Sequence, residues 1–225
     1  MQPFIGILSL DTRFPRIAGD AGNPGSYHLP ARVSVVEGAG SPDIVRDGRP
    51  DPALVARFIA AARALEAEGA VLITSTCGFL VSVQAEVAQA VRVPVLLSGL
   101  SLVPMVSRLV GGRAIGILTA SSRSLGPAAL AAAGCEGLQV HVAGMEAEPA
   151  FAETFLNAKA QQRESFDPAA MEAAVLARAA ALVAAHPGIA ALVLECGNLP
   201  PYAAALRRAT ERPVFSILDG ARLVA

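Results

Sequence analysis

Lysine is nearly missing from this sequence: Lys159 is the only one in 225 residues. It lies in a polar stretch, Asn157-Ala158-Lys159-Ala160-Gln161-Gln162, that fits a solvated helix surface. Pyridoxal chemistry, which would need that lysine for its Schiff base, is therefore not expected. No glycine-rich loop ends in Lys-Ser or Lys-Thr, and no Gly-x-Gly-x-x-Gly follows an apolar run, so the usual phosphate and dinucleotide cradles are lacking. Three cysteines are few and odd in number, which argues against a disulfide framework and fits a reducing, cytoplasmic setting. The formal charge is only -1 and no basic block stands out, so neither nucleic acid nor membrane is expected as a partner. No stretch of about 18 residues is both apolar and free of charge. The start, Met1-Gln2-Pro3-Phe4, carries no basic leader pattern. His28, His141 and His186 are scattered without ligand spacing, so no metal is expected. Any chemistry then runs on side chains alone, with no cofactor.

What is present is said twice. Gly69-Ala70-Val71-Leu72-Ile73-Thr74-Ser75-Thr76-Cys77-Gly78 is an apolar run ending in Cys-Gly, and so is Gly188-Ile189-Ala190-Ala191-Leu192-Val193-Leu194-Glu195-Cys196-Gly197. Each cysteine is followed 17 residues later by Pro-Val, at Pro94-Val95 and Pro213-Val214. The offset between copies is 119 for the leading glycine, the cysteine and the proline alike. Earlier in each half stands the same word, Ile5-Gly6-Ile7-Leu8 and Ile115-Gly116-Ile117-Leu118. Four anchors in one order indicate an internal duplication.

Between these anchors apolar runs of strand length alternate with helical patterns of 10 to 18 residues, which predicts βαβ units and a mostly parallel sheet. Strands are expected at 4–10, 32–37, 93–97, 115–118, 138–142 and 214–217, besides the two runs before the cysteines. Helices are expected at about 51–68, 80–91, 125–133, 146–162, 168–186 and 201–209, with Asp51 and Asp167 as caps and Pro52 in a first turn. Residues 11–30, rich in proline, glycine and polar groups, are too long for an ordinary connection and are a candidate functional loop. The duplication divides the chain into an N-terminal lobe, 1–98, and a C-terminal lobe, 99–213, with 214–225 packing back on the first.

In parallel α/β sheets ligands bind beyond the carboxyl ends of the strands. Cys77 and Cys196 both fall at such ends, each just before a helix. Two thiols facing one cleft from opposite sides can act as a matched acid and base, one removing a proton from carbon and the other returning one. Three hydroxyl residues, Thr74, Ser75 and Thr76, precede Cys77, while a carboxylate, Glu195, precedes Cys196. That contrast predicts Cys77 as the resting thiolate and Cys196 as the resting thiol, with Glu195 directed to the opposite face of its strand. Arg13 and Arg16 are candidates for holding a substrate carboxylate or for the surface. Cys135 has no counterpart and is read as incidental.

The paired motifs Thr74-Ser75-Thr76-Cys77-Gly78 and Leu194-Glu195-Cys196-Gly197-Asn198 resemble those of the aspartate/glutamate racemase superfamily, with its hydantoin racemase, maleate isomerase and arylmalonate decarboxylase branches. The likeness spans essentially the whole chain. It implies two Rossmann-like, flavodoxin-like lobes with parallel four-stranded sheets, related by pseudo-twofold symmetry, with a cofactor-free site between them and a homo-oligomeric assembly. It implies Cys77 and Cys196 as the acid/base thiols, and Asp11, Thr12, Thr76, Gly78, Phe79, Thr119, Ser121, Gly197 and Asn198 as substrate-holding positions. The expected activity is racemisation or epimerisation next to a carboxyl or carbonyl group of a small carboxylate. Cis–trans isomerisation or decarboxylation of a small diacid is the alternative within the enzymes, and ligand capture without catalysis the alternative outside them. Amino-acid racemases of the family read Cys-Asn-Thr and Cys-Thr where this chain has Cys77-Gly78-Phe79 and Cys196-Gly197-Asn198, so an aspartate or glutamate substrate is not implied.

Overall fold

The computed structural model describes residues 2–225. Strands β1 (Phe4–Leu10), β2 (Ala31–Val36), β3 (Ala70–Ser75) and β4 (Val95–Leu96) form one parallel sheet in the order β2-β1-β3-β4. Strands β5 (Ile115–Thr119), β6 (Val140–Gly144), β7 (Ala191–Leu194) and β8 (Val214–Phe215) form a second in the order β6-β5-β7-β8. The two orders are the same order, one lobe later. The central strands β1 and β5 are buried along their whole length, which is why they read as unbroken apolar runs instead of alternating ones.

Helices cover both sheets: α1 (Ser41–Ile44), α2 (Pro52–Ala67), α3 (Gln84–Ala90), α4 (Val103–Leu109), α5 (Pro127–Ala132), α6 (Pro149–Phe151), α7 (Pro168–Ala185), α8 (Ala203–Thr210) and α9 (Ile217–Val224). Asp51 accepts the Ala53 N–H at 2.8 Å and Asp167 the Ala169 N–H at 2.9 Å, so α2 and α7 start where a carboxylate satisfies a free amide. Their buried stripes, Val55, Phe58, Ala62, Leu65 and Met171, Val175, Ala179, Leu182, follow the helical repeat. The repeated Ile-Gly-Ile-Leu explains the close seat of these helices. A Cβ on Gly6 would stand 2.9 Å from a Leu65 methyl, and one on Gly116 would stand 3.1 Å from a Leu182 methyl. By length and composition alone α7 could cross a membrane, but it carries Glu172 and Arg178 and lays its stripe against the second sheet.

The lobes exchange their last helices. After β4 the chain crosses to the second sheet, where α4 packs against β5. After β8 it crosses back, and Ile217 and Ala221 of α9 pack with Ile5, Leu72 and Leu96 of the first sheet. Here the expected strand 214–217 needs correction: it stops at Phe215. The Ser216 N–H and hydroxyl both donate to Asp219 Oδ2, at 2.8 and 2.7 Å, a capping box that turns the chain into α9.

The expected helix 146–162 is also corrected. The chain instead makes the single turn α6, a wide π turn (Ala152–Leu156) and a 3-10 turn (Lys159–Gln161). Side-chain packing decides this. Phe155 meets Phe14, Phe151 and Phe166 edge to face, at 4.7, 4.8 and 5.5 Å between ring centres. Gln162, buried, donates to the Asn157 carbonyl at 3.0 Å and accepts the Arg13 N–H at 3.0 Å, which fastens this segment of the second lobe onto the 11–30 loop of the first.

Candidate active site

Cys77 follows β3 and Cys196 follows β7, the same position in the two sheets. The glycine after each cysteine is needed because the two turns press together reciprocally. A Cβ on Gly78 would lie 2.2 Å from the Glu195 carbonyl oxygen, and one on Gly197 would lie 2.4 Å from the Thr76 carbonyl oxygen. Glu195 and Thr76 are themselves the residues before the cysteines. So the Cys-Gly pairs interlock across the pseudo-twofold axis, which brings both thiols to one pocket. Leu10, Thr12, Phe14, Arg16, Thr76, Ala120, Phe155, Glu195 and Asn198 are among the residues of its walls.

Each sulfur sits at the start of a tight turn. The Phe79 N–H is directed at Cys77 and the Asn198 N–H at Cys196, contacts that favour a thiolate. They are outweighed. Burial, then the charge of Glu195, pushes both thiols above their ordinary range. Both shifts run toward the thiol, the direction opposite to the resting thiolate that the hydroxyls before Cys77 led us to expect. Among the described residues the Ser75 and Thr76 hydroxyls bond backbone and not the Cys77 sulfur; Ser75 accepts the Cys77 N–H at 3.3 Å. Ser75 donates to the Leu97 carbonyl at 2.6 Å, and Thr76 accepts the Leu10 N–H at 3.1 Å. The Cys196 thiol donates to Asn198 Oδ1 at 3.4 Å.

Glu195 is the group whose place the sequence misled on. Strand alternation would turn it away from Cys196, but β7 ends at Leu194, and beyond it both residues line the pocket. Its Oε2 accepts from the Thr119 hydroxyl at 2.8 Å and the Ala120 N–H at 3.1 Å. Burial raises its pKa to about 7, against those two hydrogen bonds, which lower it. The signal for it was present: at the 119-residue offset it is the ionisable partner of Thr76.

The 11–30 loop supplies the polar end of the pocket. Arg16 donates to Asp20 Oδ1 and to the Thr12 hydroxyl, both at 3.2 Å. Asp20, buried and not foreseen, also accepts from Asn198 Nδ2 at 2.7 Å and the Gly22 N–H at 2.6 Å. Arg16 is the one cation lining this pocket among the described residues. Arg13 instead pairs with Glu164 at the surface. Of the other expected positions, Thr12, Thr76 and Asn198 line the pocket, while Gly78 and Gly197 form the interlock behind it. Thr119 supports Glu195. Asp11 is bonded to Lys159 and to the Gly38 N–H, outside the pocket wall. Phe79 is packed in the core, and Ser121 bonds Ser124.

Two α/β lobes with a thiol from each at their interface define a class, and the chain belongs to the Asp/Glu/hydantoin racemase family. That family's model matches residues 25–224. The chain is 28% identical to a dimethylsulfoniopropionate lyase of Durusdinium sp. clade D, over 96% of its own length and 72% of that protein. It is 33% identical to dimethylsulfoniopropionate lyase 5 of Emiliania huxleyi, over 96% of its length but only 44% of that protein. Among solved structures, allantoin racemase from Klebsiella pneumoniae superposes with a TM-score of 0.62 at 16% identity, covering 98% of this chain and 86% of that one. Unliganded arylmalonate decarboxylase does so with 0.59 at 17%, covering 98% and 90%. These structural likenesses establish the fold, two all-parallel four-stranded sheets with flanking helices.

Proposed function

We propose that this chain is an enzyme that breaks a C–H bond next to a carboxylate without a cofactor, with Cys77 and Cys196 as the proton-transferring groups. The observation that carries the reading is the pair of buried thiols reaching one pocket from equivalent strand ends, beside a single cation. Arg16 and Thr12 would hold the substrate carboxylate, with Arg16 kept in place by Asp20. Phe14, Phe155 and Leu10 form an apolar wall for the rest of the molecule.

Once the α-proton is gone, the substrate decides the outcome. With a good leaving group on the β-carbon the carbanion expels it. This fate fits relatives named dimethylsulfoniopropionate lyase that align with nearly the whole chain. A sulfonium cation also suits an aromatic wall. Elimination would leave dimethyl sulfide and the unsaturated acid. Incubation with dimethylsulfoniopropionate should therefore release dimethyl sulfide into the headspace, with the Cys77→Ser, Cys196→Ser double variant inactive. No release by the wild type would sink the elimination reading. Without a leaving group, a second thiol on the opposite face would return the proton and invert the carbon. The duplicated thiols favour this second reading, and a panel of chiral hydantoins and 2-substituted acids followed by optical rotation tests it.

A further inference from the structure

Glu195 has one oxygen more than its structural duty requires. Its Oε2 takes the Thr119 hydroxyl and the Ala120 N–H. The symmetry mate, Thr76, takes the equivalent Leu10 N–H with a plain hydroxyl. A threonine thus suffices to hold the strand end in one lobe, while the other lobe has a buried carboxylate whose Oε1 has no hydrogen-bond partner among the described residues. That oxygen lies against the Cys77–Gly78 turn, since a Cβ on Gly78 would come within 2.5 Å of it. Cys77 shows the complementary vacancy. At rest the Cys77 thiol donates no hydrogen bond among the described residues, to Glu195 Oε1 included, so the transfer requires the S–H to turn toward that oxygen; the Cys196 thiol, by contrast, donates to Asn198 Oδ1 at 3.4 Å.

We propose that Glu195 Oε1 is the internal proton acceptor that converts the Cys77 thiol into the thiolate base. The S–H bond of Cys77 breaks, an O–H bond forms at Oε1, and the negative charge passes from carboxylate to sulfur. The buried pocket keeps a single negative charge throughout, which avoids the cost of a carboxylate and a thiolate side by side. After Cys77 has taken the substrate's α-proton, an elimination ends with Glu195 giving its proton to water. In an inversion the proton returns instead to Cys196, which has become the thiolate. Glu195, though it lines the pocket, acts on the substrate through the thiols and is a positioning residue. The inference rests on the reading of Cys77 and Cys196 as acid/base thiols.

Cys196 stands beside Glu195 and Cys77 across the interlock; Arg16 shares the pocket and acts on Cys77, Asp20 acts on Cys196, and Thr119 and Ala120 contribute no charge. The test needs no substrate. The rate of Cys77 carboxamidomethylation by iodoacetamide is measured from about pH 6 to about pH 9, with peptide mapping to separate Cys135 and Cys196. If one proton is shared between Glu195 and Cys77, thiolate appears with the first ionisation of the pair. The wild-type log rate should climb with unit slope and then flatten above about pH 7. Glu195→Gln, and Glu195→Thr, which copies the lobe that uses Thr76, should climb across the whole range. A wild-type profile without the break, or variants that keep it, overturns the proposal, and the wild-type profile decides alone if neither variant folds. A break that persists while Cys77→Ser retains full turnover would instead count against the proposed function and leave the proton sharing intact.

Discussion

Replacing Glu195 by glutamine should raise the stability of the folded protein relative to the wild type as pH rises through neutrality. In the unfolded chain the carboxyl titrates near 4.5; buried in the pocket it titrates near 7. The folded state therefore binds this proton more tightly than the unfolded state. Its contribution to stability is complete below about pH 4.5 and is lost as pH rises through about 7. A shift from 4.5 to about 7, at about 1.4 kcal/mol per pKa unit, comes to about 3 kcal/mol. Glutamine stays neutral and can keep the Thr119 and Ala120 hydrogen bonds through its carbonyl oxygen, so it escapes that loss. Its amide nitrogen would take the place of the unpartnered Oε1, a penalty that does not change with pH. The diagnostic quantity is thus the pH dependence of the difference between the two proteins, not its absolute size. Urea denaturation followed by circular dichroism, at steps from about pH 4 to about pH 8.5, measures it. The difference should open by about 3 kcal/mol between acid and pH 8, about 6–12 °C in melting temperature for a chain of this size. A difference that stays constant across this range would refute the buried, unpartnered carboxylate on which the site's electrostatics rests.

Three further perturbations probe other joints of the structure. Gly78→Ala or Gly197→Ala drives a Cβ to within 2.2 or 2.4 Å of a carbonyl oxygen of the other lobe, so each should cost at least about 1–3 kcal/mol and separate the thiols; thermal melts and turnover should fall together. Arg16→Gln should raise KM for a carboxylate far more than it lowers kcat, since Arg16 is the pocket's cation, while also loosening the buried Asp20; an unchanged KM would remove Arg16 from substrate binding. Phe155→Ala should cost about 3–5 kcal/mol and expose residues 149–166 to limited proteolysis, because that ring packs against Phe14, Phe151 and Phe166 together.

The duplicated words of the sequence carried the fold because each reports a close approach. Gly6 and Gly116 mark where a helix must sit against a strand, and Gly78 and Gly197 mark where the lobes interlock. What stayed hidden depends on the other lobe. The stretch 146–162 has the composition of a helix, and nothing local says that Phe155 will be drawn to Phe14, which lies over a hundred positions earlier. Helix α9 hides behind Gly220, a poor helix former that lets the helix sit close to the first sheet, where a Cβ would meet a Leu96 methyl at 2.6 Å. Glu195 was visible as a neighbour of Cys196, but its direction followed from where β7 stops. Arg16 and Asp20 needed the course of the 11–30 loop.

The central claim is that the two thiols move a proton at the carbon beside a carboxylate. Proton NMR in D₂O, with dimethylsulfoniopropionate and a panel of chiral 2-substituted acids, follows that proton directly. The account predicts loss of the α-hydrogen signal or its replacement by deuterium with the wild type, and none with the Cys77→Ser, Cys196→Ser double variant. Turnover of any of these acids with the α-hydrogen retained, or α-exchange that survives removal of both thiols, would contradict it.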